Sequence, residues 1–101
     1  MNEQQLEELI LDKNLTAPRL TPEYIDSCIK EETYLLVPDT SLTFCVLTLK
    51  NGFMVTGNSA CASPENFDEE VGKSIAKKNA REKIWELEGY LLKEKLFNQQ
   101  K

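Results

Sequence analysis

Lys73, Lys77 and Arg81 recur every fourth residue, with Lys78 beside them, and form the densest set of charged side chains in the sequence. On a helix that spacing makes one stripe, suited to phosphate or to an acidic protein surface. Between Val71 and Lys83 five cations face Glu82 alone, a local balance of +4 in a chain whose net charge is −5. The stripe also reads as a solvated helix face, in which Glu69–Lys73 and Lys78–Glu82 pairs contribute ~0.2–0.5 kcal/mol each.

Carboxylates cluster just upstream, at Glu65, Asp68, Glu69 and Glu70, and again at Glu3, Glu7, Glu8 and Asp12. Such clusters can imitate a nucleic-acid backbone and occupy a basic groove on another macromolecule. They also serve simply as helix starts, where negative charge complements the helix dipole.

Bond-making chemistry finds little footing. The chain has no histidine, which removes the usual nucleophilic triads. General acid–base work by two carboxylates needs an enclosed pocket that shifts their pKa values, and no pattern here calls for one. Cys28, Cys45 and Cys61 are widely spaced and form no CxxC pair, so structural zinc is not expected. Gly52, Gly57, Gly72 and Gly89 never assemble into a phosphate-binding loop. The expectation is a protein with no catalytic residues, no metal and no cofactor, acting through its surface.

The elements that must position these residues follow from periodicity and capping. Residues 3–13 carry Leu6, Leu9 and Ile10 at helical spacing. Thr21-Pro22-Glu23 is a capped helix start, and the short helix after it is expected to bury Tyr24, Ile25, Cys28 and Ile29. The run Thr33–Val37 is strand-like. Residues 42–50 and Phe53–Gly57 are strands meeting at Asn51-Gly52, a strong hairpin signal. A two-residue turn there pairs Leu49 with Met54 and Thr48 with Val55. That register sets Cys45, Leu47, Leu49 and Met54 on one face and Phe44, Val46, Phe53 and Val55 on the other. Both faces are apolar, so each needs a cover: helices, the N-terminal arm or a partner chain.

After a polar turn region, Ser63-Pro64-Glu65 and Asn66…Glu69 give two overlapping start signals for a long helix running to about Phe97, with Gly72 and Gly89 as places where it could break. The division is an N-terminal helical arm and connector (1–20), one α+β domain (21–97) and a frayed tail (98–101). Trp85 and Tyr90 on the last helix serve either the core or a contact surface. Phe44 and Phe53 mark a face left for a partner, self-association included. The acidic start lacks the basic and apolar regions of a signal peptide, and no apolar run reaches the ~20 residues of a membrane span.

The hairpin Cys45–Phe53 with Val55-Thr56-Gly57, then Ser59-Ala60-Cys61, Asn66-Phe67-Asp68, Ile84-Trp85 and Leu87-Glu88-Gly89-Tyr90-Leu91-Leu92 resembles a family of small tailed-phage proteins. That family is named for gene product forty-nine of one coliphage and gene sixty-six of another phage, and the resemblance covers about residues 21–97. It implies a phage or prophage origin and residence in the bacterial cytoplasm, and it brings no established activity and no site residues.

The order helix, three antiparallel strands, helix also resembles a double-stranded-RNA-binding domain, with Lys77-Lys78-Asn79-Ala80-Arg81 similar to the basic element such domains aim at phosphates. The insertion 61–72 with its carboxylates departs from that pattern. Three functions are therefore expected in order: inhibition or redirection of a host protein complex, of which an anti-CRISPR is the concrete form; nucleic-acid binding through the basic stripe; and a structural or regulatory homodimer built on Phe44 and Phe53. No membrane role is expected.

Overall fold

The computed structural model describes residues 1–15 and 17–100. Helix α1 (Glu3–Asp12) opens on a reciprocal capping box: Asn2 Oδ1 accepts from the Gln5 amide at 2.8 Å, and Gln5 Oε1 accepts from the Asn2 amide at 3.0 Å. Helix α2 (Pro22–Ser27) starts as its sequence requires, with the Thr21 hydroxyl accepting from the Tyr24 amide at 3.1 Å and proline in the first turn. Of the four side chains assigned to its buried side, Ile25 is fully buried and Cys28 and Ile29 are half-buried, whereas Tyr24 is exposed.

Strands β1 (Ile29–Leu36), β2 (Leu42–Leu49) and β3 (Met54–Ala60) form an antiparallel meander in the order β1-β2-β3. Strand β1 begins earlier than Thr33 because Ile29 already pairs with Leu49, across an irregularity between Ile29 and Glu31. Ser63-Pro64 starts only a short 3-10 turn (Pro64–Asn66). The long helix α3 (Glu69–Gln99) is capped instead by Asp68, whose Oδ1 accepts from the Val71 amide at 2.9 Å. The protein is thus α+β, with helix, three strands and a long final helix in that order.

The hairpin corrects the expected register. Thr48 pairs with Met54 and Leu47 with Val55, one residue away from the pairing a two-residue turn would give. The Gly52 amide donates to the Leu49 carbonyl at 2.9 Å, and the Leu49 amide to the Phe53 carbonyl at 2.8 Å, so three residues, Lys50 to Gly52, form the loop. Gly52 alone in this loop has positive φ, at 91°. This is the three-residue hairpin with glycine in the left-handed region, and not the tight turn that needs two such residues. A one-residue shift exchanges the faces of a strand. Val55 therefore points into the core, 6% exposed, and Met54 takes the outward position.

Helix α3 crosses one face of the sheet, packing on β2 and β3, with α2 beside it. The inward residues of β2 (Thr43, Cys45, Leu47, Leu49) join Val55, Ile25, Ala76, Ala80 and Ile84 in the core. Small residues on α3 let it come close: it passes directly over Gly57, which leaves no room for a side chain. The helix does not break at Gly72 or Gly89. Its fully buried positions end at Ile84; Trp85 still packs on the core and Glu88 bonds to Tyr24 and Cys28, and the helix continues beyond them to Gln99.

Candidate interaction surface

Alternation along the strands fixes what the sheet shows on the side away from α3. Leu35 pairs with Phe44 and Phe44 with Asn58; Thr33 pairs with Val46 and Val46 with Thr56; Thr48 pairs with Met54. These rows give a face of Leu35, Phe44, Val46 and Met54 set among threonines, with Glu31 the charged side chain in its pairing rows. Leu35 is 55% and Met54 60% exposed, while Phe44 and Val46, on the central strand, are half-buried by their neighbours. Among the described residues, the helices that pack on the sheet lie with the core on its other side.

The six side chains singled out for an interface therefore separate. Phe44 and Val46 belong to the open face. Phe53 is exposed at the hairpin tip, and Val55 lies in the core, contrary to expectation, because of the longer loop. Trp85 packs half-buried against the core. Tyr90, 70% exposed, stands on the part of α3 that extends past the core, where Leu87 and Leu91 are exposed with it. Leu35 and Met54 were not singled out from sequence. The continuous apolar run Tyr34–Val37 hides which way Leu35 faces, and the register hides Met54.

The basic stripe is largely neutralised within the chain. Lys73 pairs with Glu69 at 3.1 Å and stands 5.6 Å over the Tyr34 ring. Lys77 pairs with Glu32 at 2.9 Å. Arg81 donates through Nε to Asp26 at 2.9 Å and through Nη1 to Glu3 at 3.0 Å. Lys78 is exposed. Three of the four cations thus already have carboxylates, drawn from α1, α2, β1 and α3.

The acidic cluster is equally occupied with local structure. Glu65 accepts from the Ser63 hydroxyl at 2.8 Å, which holds its carboxyl below the usual range. Asp68 caps α3 and Glu69 holds Lys73, leaving Glu70 exposed.

Two polar groupings flank the core. The Tyr34 hydroxyl donates to Glu32 at 3.1 Å, and burial, reinforced by that carboxylate, pushes the phenol well above its ordinary value. The Lys77 ammonium holds the Glu32 carboxyl below its usual range, with the Tyr34 hydroxyl adding to the effect. About three turns further along the same side of α3, the Cys28 thiol and the Tyr24 hydroxyl both donate to Glu88, at 3.6 and 3.4 Å. Burial first, and then the Glu88 charge, raise the Cys28 thiol. Among the described residues no three His, Cys, Asp or Glu side chains converge as metal ligands, and no helix is long and apolar enough to cross a membrane.

Compared with known proteins, residues 20–96 match the profile of the phage protein (N4 Gp49/phage Sf6 gene 66) family. The match spans all three strands, α2 and α3 up to Leu96, and leaves α1 outside. No curated protein matches the chain, and no solved structure matches it.

Proposed function

This chain belongs to the phage protein (N4 Gp49/phage Sf6 gene 66) family, and from that premise we propose that it acts without bond chemistry, by binding and inhibiting or redirecting a protein complex of the bacterial host. Counter-defence, in the manner of an anti-CRISPR, is the concrete form. The observation that carries the reading is the sheet's one-sided cover: Leu35, Phe44, Val46 and Met54 form an apolar face on the side away from the helices. A contiguous apolar patch on a small domain commonly marks a contact site. The exposed Leu87, Tyr90 and Leu91 on α3 supply a second apolar surface. A chain without histidine also lacks the usual general base of hydrolytic catalysis.

Nucleic-acid binding draws less support, because Lys73, Lys77 and Arg81 are engaged by carboxylates of the same chain. Phosphate contacts need cations free to replace counterions.

The test uses cells whose CRISPR system targets a phage, expressing either the wild-type chain or the exposed-site variant Leu35→Glu/Met54→Lys. Restored plaque formation with the wild type and none with the variant supports the counter-defence form; unchanged plating across a panel of defence systems overturns it. The broader claim is read by crosslinking the tagged protein in host cells. A host complex recovered with the wild type and lost with the variant supports it, and identical recoveries sink it.

A further inference from the structure

Helix α1 lacks the usual reason for a helix to stay on a domain. None of its residues is buried, and Leu6, Leu9 and Leu11 are exposed. A free helix of this length is marginal in water, so its order must come from its cap and from what it touches. Ile10 is half-buried, and the polar ties from α1 to the rest of the chain are ion pairs. Glu3 accepts from Arg81 on α3 at 3.0 Å, and Glu7 pairs with Arg19 at 2.8 Å. Between α1 and α3 lies a cleft of about 750 Å³ whose lining includes Leu6, Lys78, Arg81 and Trp85. The Arg81 side chain is only 16% exposed, held between Glu3 and Asp26. The family match begins at residue 20 and leaves α1 outside it.

We propose that α1 is a releasable strap, held by charge across a cationic and aromatic face of α3 formed by Lys78, Arg81 and Trp85, and that this face opens when the strap lifts. The strap's own chemistry suits the surface: an acidic helix with leucines on it lies against two cations and an indole. Release costs no core packing, because α1 contributes none. Arg81 keeps Asp26 as a partner when Glu3 leaves, so the opened face is not left with an orphaned buried charge. The strap is separate from the open sheet face, so its behaviour stands or falls independently of any host target.

Hydrogen exchange on the full-length protein tests this, at low salt and at ~1 M salt, where the screening length falls to about 3 Å. Amides of residues 7–12 are expected to exchange about tenfold faster at high salt, a change of ~1.4 kcal/mol in opening, while amides of residues 76–84 hold their rates. Glu3→Gln/Glu7→Gln is expected to give the fast rates already at low salt. Both replacements are isosteric, at exposed or half-buried positions outside the core. Trp85 is the single tryptophan, so its emission reports the opened cleft directly and is expected to shift to the red in the same conditions. Salt-independent exchange in α1, acceleration shared equally by residues 76–84, or an unmoved Trp85 emission would each overturn the proposal.

Discussion

Gly57 on β3 lies so close beneath Ala80 on α3 that a methyl group built on the glycine would stand 2.3 Å from the Ala80 amide nitrogen and 2.4 Å from the Ala76 carbonyl oxygen. These are backbone atoms of a continuous helix and cannot rotate away. Gly57→Ala should therefore lift α3 off the sheet and cost about 3 kcal/mol, the upper part of the range for overpacking. Gly89 is the opposite case, on the same helix but with nothing within 4 Å of an added methyl. Gly89→Ala should stabilise by up to ~1 kcal/mol through helix propensity alone. Urea unfolding of the two variants checks both signs.

Thr43 is fully buried, and among the described residues its hydroxyl has no hydrogen-bond partner. A buried hydroxyl without a partner forfeits about 1–3 kcal/mol. Thr43→Val keeps the branched shape and removes the penalty, so it should be neutral or stabilising, with an unchanged denaturant slope. A clear loss of stability would mean that the hydroxyl is satisfied in solution.

Glu32 gives a pH signature. Its carboxyl is held below the ordinary 4.5 by Lys77 and Tyr34. Such a group adds its stabilisation fully above about pH 4.5 and loses it as the pH falls through the depressed value. The pair is partly solvated, so the effect is small. Glu32→Gln should lower stability near neutrality and flatten the acid limb of the curve below pH ~4.5; parallel curves for the two proteins would contradict this.

Cys28 should be a slow thiol. Burial and the Glu88 carboxylate raise it above its ordinary 9.0, and only the thiolate reacts. Glu88→Gln should lower the Cys28 pKa and speed its alkylation severalfold near neutral pH, followed by peptide mapping. An unchanged rate would show that burial alone sets its reactivity.

The element order was legible because capping residues and hydrophobic period agree locally: Thr21-Pro22 starts α2, and the apolar stripe through Ala76, Ala80 and Ile84 runs along α3. The hairpin was legible in place but not in register. Asn51-Gly52 announces a turn, yet the choice between two and three loop residues depends on whether Asn51 enters the left-handed region, which no local pattern decides. That single step moved Val55 into the core and Met54 out of it. The basic stripe was legible as a stripe, but its partners Glu3, Asp26 and Glu32 are distant in sequence, so its neutralisation was not. Leu35 was hidden because it stands in the unbroken apolar run Tyr34-Leu35-Leu36-Val37, where no alternation says which side chain faces outward.

The unbroken course of α3 has a metrical consequence. At 1.5 Å per residue, its end at Gln99 stands about 22 Å beyond Ile84, its last fully buried position. Tyr90 is carried on that same rigid rod, so its distance and bearing from Phe44 are set like the jaws of a calliper. A target gripping both must match the interval as well as the chemistry. One residue inserted after Glu88 would leave the Trp85 and Glu88 contacts in place yet swing the far jaw by about 100°.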